Sequence, residues 1–323
     1  MMTSDHSNMQ DTAGITSICK WKDGKQAAFS IGGDDSVRSQ LDFLIPELFK
    51  RGFAGTFWIN PGRGTPRERG FCWESRKNDW LAAARGGIDF GNHSVYHVGA
   101  RYYAEAEYEI GECARIIWEA NPGQNLQLFM SGGGTTWNIS QAEMDYLLAK
   151  YHCVKGRGGG TEDPAWHSSY IPNGADLIGY VDIAIQEGSW HHIVCHGAGP
   201  EAEWLPTSGP ALIAVLDYLS DRKDQVWVAT HLQVHKYEQE RSSARTGIVE
   251  ATDRRVCLDL TSEKDVDLYD LGLTLRTQVP SAWKEVQVSQ GNSTSHCFSS
   301  SGMIQYEAVP GKGEIILAPA PSM

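Results

Sequence analysis

Short apolar runs alternate with segments of helical period along the first three-quarters of the chain. Ala27 to Ile31 is an apolar run that stops at Gly32-Gly33, the pattern of a buried strand meeting a functional turn. Ser39 to Arg51 then carries Leu41, Leu44, Ile45, Leu48 and Phe49 at helical spacing, with Gly52 as a stop. Ala54 to Ile59 reads as the next strand. The alternation continues with helix Asn78 to Arg85, strand Ile88 to Gly91, helix Ala104 to Ala120, strand Leu126 to Met130 and helix Ser140 to Lys150. Strand Ile193 to His196, helix Pro210 to Ser220, strand Val226 to Ala229 and a last helix Val234 to Arg245 follow. Strands and helices in this order predict parallel βα units.

After about residue 246 the pattern changes. Val256 to Leu260, Leu271 to Thr277, Trp283 to Val288, Met303 to Glu307 and Glu314 to Leu317 are short β-type runs separated by turn residues. That spacing predicts a small antiparallel β-sandwich. Three regions result: a polar arm over 1–17, an α/β barrel over 18–245, and a β domain over 246–323; Ile15 to Trp21, across the first boundary, has enough apolar character to dock.

Composition narrows the function. Of 323 residues, 28 are Lys or Arg and 40 are Asp or Glu, a net charge of −12. So acidic a chain with no basic patch repels nucleic acid and anionic membranes, and it suits a neutral or cationic substrate. Eleven Trp and twelve Tyr could serve a sugar cleft or simply a core. The seven Cys are scattered without a Cys-x-x-Cys pair, which argues against a cysteine zinc site. No run of about 18 apolar residues occurs, so no membrane span is expected. Met1 to Gly14 lacks the apolar run of a signal peptide, which reads as cytoplasmic, or as secreted if a leader has been trimmed. Nothing in the chain decides for or against a homo-oligomer.

Three features carry chemistry. Asp34-Asp35 places two carboxylates side by side, and their repulsion calls for a cation, although an acidic surface turn capping a helix would also use them. In His93-Ser94-Val95-Tyr96-His97 two His four apart on a helical turn would point to one side and could bind one metal. His196, after Ile193-Val194-Cys195 and before Gly197, stands where barrel active sites lie, or is a satisfied structural His. Together they supply two His and a carboxylate for an open Zn²⁺ position, a second carboxylate as base and a further His as acid.

These residues resemble the motifs of the polysaccharide deacetylases, the carbohydrate esterases of the NodB-homology type. Ala28-Phe29-Ser30-Ile31-Gly32-Gly33-Asp34-Asp35-Ser36 is similar to the family's strand ending in paired Asp. His93-Ser94-Val95-Tyr96-His97, preceded by Gly91-Asn92, matches its His-Ser/Thr-x-x-His motif, and Val194-Cys195-His196-Gly197 its late His-Gly strand. The resemblance spans roughly residues 18–245. It implies an α/β fold, a distorted (β/α)7 barrel, with Asp35, His93 and His97 holding zinc or another divalent transition metal. Asp34 would be the general base, His196 the general acid, and a backbone N–H near Ser131 or Gly132 the oxyanion donor. The substrate implied is an acetylated oligo- or polysaccharide, deacetylated at N or O.

The match has departures. Gly32-Gly33 stand where the family has Thr-Phe. Phe129-Met130-Ser131-Gly132-Gly133-Gly134 lacks the Arg and Pro of the third motif, and Arg157 is the candidate to replace that Arg or to bind substrate. Asp163 and Trp166 are the candidates for the fourth motif. Two other readings follow: a hydrolase of small or cyclic amides with a reshaped cleft, and a carbohydrate-binding protein with a degenerate site.

Overall fold

The computed structural model describes residues 13–63, 70–155, 166–168, 174–202 and 204–320. They form two compact units, one of residues 26–235 and one joining 1–25 to 236–323.

The larger unit is built on an eight-stranded parallel sheet with the architecture of a distorted (β/α) barrel. Its central strand, Ala27–Asp34, pairs along one edge with Trp190–Cys195. The other edge forks: Ala27 to Phe29 pair with Val226–Val228, while Gly32 to Asp34 pair with Thr56–Ile59. Strands Asp89–Asn92, Gln127–Phe129 and Cys153–Lys155 continue outward from Thr56–Ile59.

Alternation along the strands divides the chemistry. Phe29, Ile31, Phe57, Ile59, Ile193 and Cys195 join one buried cluster with helix residues Leu44, Leu48, Leu177, Val181, Leu212 and Leu216. Full burial of each large apolar side chain is worth about 1.5–3 kcal/mol. The opposite row, Ser30, Gly32 and Asp34, lies with the row Trp190, His192 and Val194, and the Trp190 indole N–H donates to the Ser30 hydroxyl at 3.0 Å. Asp34 is the last residue of its row, at the C-terminal end of a parallel strand, where barrel chemistry is housed.

Several elements differ from expectation. The first strand runs to Asp34 rather than Ile31, because Gly32 and Gly33 admit close neighbours: a Cβ on Gly33 would lie 2.7 Å from the Gln40 amide, and one on Gly32 would collide with the Thr56 carbonyl. The helix of Ser39 to Arg51 opens with a π-type turn, Gln40–Leu44, before α-helix Ile45–Lys50. Helix Gly174–Glu187 was not expected; it follows a stretch of chain with no clear period. Strand Trp190–Cys195 begins three residues before the expected Ile193, since Trp190-His191-His192 does not advertise a buried strand. The last helix spans His231–Ser243, and Arg245–Ala251 is a strand.

The smaller unit has two antiparallel sheets. One has five strands, and the other sets Leu273–Gln278 between Thr16–Ile18 and Met303–Ala308. Alternate residues are buried, as in Met303–Ala308, where Ile304, Tyr306 and Ala308 face inward. The Ile15 to Trp21 segment docks as a strand of this unit, which is why 1–25 groups with the C-terminal residues. The division lies between residues 235 and 236, whereas the apolar pattern placed it between 245 and 246. Residues 1–12 of the expected arm are outside the described residues.

Candidate metal centre and active site

Three loops after parallel strands meet at the C-terminal end of the sheet. Asp35 follows Ala27–Asp34 directly, with φ of 69°, and Ser36 with φ of 51° continues the left-handed turn. The His93 to His97 segment follows Asp89–Asn92 and is not a helical turn: Ser94 and His97 have φ of 63° and 58°. Half of the eight non-glycine residues with positive φ among the described residues sit in these two loops, a concentration of backbone strain typical of functional sites. Side chains hold the second loop in shape. The Ser94 N–H donates to Asn92 Oδ1 at 3.1 Å and the His97 N–H to Ser94 Oγ at 3.1 Å, while the Asn92 amide donates to the Ile110 carbonyl at 2.9 Å. So the His-Ser-x-x-His spacing does bring both His to one side, through an irregular loop rather than helical periodicity.

One ligand atom each from Asp35, His93 and His97 lies within 4.8 Å of the others. His93 Nε2 is 3.8 Å and His97 Nε2 3.9 Å from Asp35 Oδ1, and the two rings stand edge to face with centroids 4.7 Å apart. His93 Nδ1 is 2.8 Å from the Met130 carbonyl. A carbonyl only accepts, so Nδ1 carries the proton and Nε2 presents its lone pair, the arrangement that orients metal-binding His. Burial pushes the His93 imidazole down to about 4, which keeps it neutral and able to ligate at neutral pH. Two imidazole nitrogens and a carboxylate oxygen suit a three-ligand catalytic cation. A further sign is Asp34 Oδ1, buried with no hydrogen-bond partner among the described residues.

The paired carboxylates are driven apart. Burial, and then the charge of Asp35, push Asp34 well above the usual carboxylate range. Burial acts on Asp35 in the same direction, but His93, Arg63, His196 and His97 outweigh it and hold Asp35 low. The Asn60 amide and the Arg63 guanidinium each donate to Asp35 Oδ1, at 2.7 and 2.6 Å. His196 Nε2 is 3.9 Å from Asp34 Oδ2 and 4.0 Å from Asp35 Oδ2. Burial lowers the affinity of His196 for its proton.

Gln40 locks this geometry from below. Its amide donates to the main-chain carbonyls of Asp34 at 2.6 Å and His196 at 2.8 Å, tying the two strand ends together. The Ala198 N–H donates to Ser39 Oγ at 3.1 Å, so the same segment holds the loop after His196. Gln40, Asn60 and Arg63 escaped the sequence reading. Asn60 carried a usable signal, as a polar residue immediately after a parallel strand; Gln40 looked like a helix-surface residue.

Of the remaining expected residues, Ser131 is exposed and Gly132 buried, and the N–H of neither donates to a described residue. The Gly132 carbonyl accepts from the Thr135 hydroxyl at 2.6 Å. Arg157 and Asp163 are outside the described residues. Trp166 begins strand Trp166–Ser168, opposite His192, and its side chain is likewise outside them. The guanidinium found beside the paired Asp is that of Arg63, and it contacts Asp35.

No family model matches the chain. A gellan lyase from Bacillus sp is 20% identical over 366 aligned positions, which take in 98% of this chain and 14% of that protein. The chain therefore spans only a small part of this curated relative. Among solved structures, a peptidoglycan deacetylase, PdaC, from Bacillus subtilis is 16% identical with a TM-score of 0.46, covering 65% of this chain and 91% of that one. A family 4 carbohydrate esterase from Streptomyces lividans in complex with acetate is 15% identical with a TM-score of 0.42, covering 63% and 92%. A CE4 family pseudoenzyme from Bacillus anthracis is 14% identical with a TM-score of 0.42, covering 63% of each chain. In the order of its motifs and in its barrel architecture, this chain resembles the polysaccharide deacetylases of the NodB-homology type.

Proposed function

We propose that this chain hydrolyses acetyl groups from an acetylated oligo- or polysaccharide, with a divalent cation, zinc in the first instance, held by Asp35, His93 and His97. The observation that carries this reading is the convergence of those three ligand atoms within 4.8 Å, with His196 and the buried Asp34 carboxylate beside them. The cation would supply Lewis-acid polarisation of the acyl carbonyl and ease the deprotonation of water. Asp34, whose environment raises its proton affinity, takes the proton from the attacking water. Water oxygen adds to the acetyl carbon, and the N–H groups of Ser131 and Gly132, which donate to no described residue, are the candidates to stabilise the developing oxyanion. His196, made a stronger acid by burial, gives a proton to the departing sugar nitrogen or oxygen as the acyl bond breaks and acetate leaves. The pairing of a raised Asp34 with a lowered Asp35 divides the roles of base and ligand.

Metal removal and zinc reloading, with acetate measured from N-acetylglucosamine oligomers, O-acetylated plant polysaccharide and gellan, test the reading. Zinc-dependent acetate release that His93→Ala abolishes is the expected result. Shortening of gellan without acetate would point instead to the chemistry named in the curated relative. An open groove beside the site favours a polymer over a small amide. The meeting of all five metal and acid–base positions argues against a degenerate binding site. Among the described residues no helix is long and apolar enough to cross a membrane.

A further inference from the structure

A cavity whose lining begins at Val98, the residue after His97, lies next to the metal centre rather than containing it. It has a volume of about 680 Å³, within the range of roughly 300–1,000 Å³ for ligand clefts. One side is lined by Val98, Arg101, Tyr102 and the helix residues Glu105 and Tyr108; Gly134, Thr136 and Asn138 line it from the other segment. Val98 directly follows His97, and Gly134 stands two residues after Gly132. The same short segments therefore shape both the centre and the groove. Gly99–Ala100 and Thr136–Trp137 pair in parallel and fix the two walls together.

This wall breaks two local rules. Val98, Tyr102 and Tyr108 in the wall are exposed by 67, 55 and 51%, and Tyr96 beside it by 44%, an apolar concentration that a solvated face does not need. The Tyr96 and Tyr108 rings lie nearly parallel, 16° apart with centroids at 6.3 Å. Tyr102 also occupies the N-cap of helix Tyr103–Ala120 without capping it, where Ser, Thr, Asp or Asn would add about 0.5–2 kcal/mol. Glu105 in the first turn instead accepts from the N–H of Arg101, one residue before the N-cap, at 2.8 Å. The residue at this N-cap is thus an aromatic that lines the groove.

We infer that this groove is a saccharide-binding subsite, in which Tyr102 and Tyr108 stack against a neutral sugar residue next to the acetylated one. Flat rings match the apolar C–H faces of a pyranose, and the Asn138 amide offers partners for its hydroxyls. Two carboxylates, Glu105 and Glu109, face a single cation, Arg101, which disfavours a polyanionic chain. The subsite rests on the deacetylase reading for its acetylated neighbour, but binding of the chain itself can be measured without turnover.

The test titrates the zinc-loaded protein and its Tyr102→Ala and Tyr108→Ala variants calorimetrically with an N-acetylglucosamine tetramer and with acetylated xylotetraose. Acetate release from the tetramer and from the single N-acetylated sugar is followed in parallel. Expected is at least a tenfold weakening of tetramer binding in each variant, and a loss of kcat/KM that is about tenfold greater for the tetramer than for the monomer. Binding that the variants weaken, with no acetate released by any form, would support the subsite and defeat the deacetylase reading. Equal losses for both lengths, unchanged binding in the variants, or no binding of either tetramer would overturn the subsite.

Discussion

The ring of His97 lies directly against the α-carbon of Gly132, so close that any side chain at position 132 would occupy the space of the imidazole. Gly132-Gly133-Gly134 looks in the sequence like a flexible loop, yet its first glycine is buried and acts as the backing of a candidate metal ligand. Gly132→Ala is therefore expected to push His97 away from Asp35 and weaken zinc binding by about 10–100-fold, the scale seen when a ligand's support is lost. Zinc titration by calorimetry reads the change. Unaltered circular dichroism would show that the barrel still forms, and unaltered zinc affinity would show that His97 is not a ligand.

Gln40 links Asp34 to His196 through main-chain carbonyls, without touching either carboxylate or imidazole. Gln40→Leu removes these two hydrogen bonds and a third to the Cys195 carbonyl at 3.3 Å, at a cost of about 1–3 kcal/mol. The candidate base and acid then lose their fixed separation. A fall of about tenfold to a hundredfold in kcat is expected, with KM little changed, because a displacement near 1 Å is enough for that. Steady-state kinetics beside thermal unfolding would separate this from a general loss of fold.

Much of this was legible in the chain, and the gaps have physical reasons. Strongly apolar runs such as Ala27 to Ile31 and well-spaced helices such as Tyr103–Ala120 declare their elements, because burial on one face leaves a period. Asp34, Asp35, His93, His97 and His196 stand out in the chain as adjacent carboxylates, a spaced His pair and a His-Gly at a strand end, and their side chains do lie near one another. The conformation that joins His93 to His97 was not legible: left-handed φ at Ser94 and His97 depends on Asn92 and Ser94 side-chain hydrogen bonds. Arg63 was missed because the tie between its guanidinium and Asp35 is purely tertiary. Gly32 and Gly33 read as a turn, whereas they lie within the strand, admitting the Thr56 carbonyl and the Gln40 amide.

The two adjacent carboxylates are expected to separate cleanly by mutation. Asp34→Asn should leave zinc at one per chain and lower acetate release by about 10²–10⁴-fold, the usual contribution of a general base. Asp35→Asn should lose the metal itself. Asp34→Asn should also raise the melting temperature of metal-free protein, because it removes a buried carboxylate repelled by its neighbour. Zinc analysis, acetate assay and melting of both variants check the assignment; loss of zinc from Asp34→Asn would reverse the two roles.

Glu240 offers a test in the smaller unit, away from any metal chemistry. Burial, and then the nearby charge of Asp270, push its carboxyl up to about 7, against the pull of the Leu271 N–H and of Lys236. A carboxyl whose folded value is raised binds its proton more tightly in the folded state, so its share of stability is complete below the unfolded value near 4.5. That share is lost as pH rises through about 7, because the folded unit must then hold a buried charge. Glu240→Gln keeps the shape and removes the ionisation. The variant is expected to melt higher than the parent at pH 8 and to match it at pH 5, where the parent's carboxyl is already protonated when folded. Melting temperatures of both proteins across that range give the answer. A constant difference at all pH values would mean that Glu240 does not titrate between them.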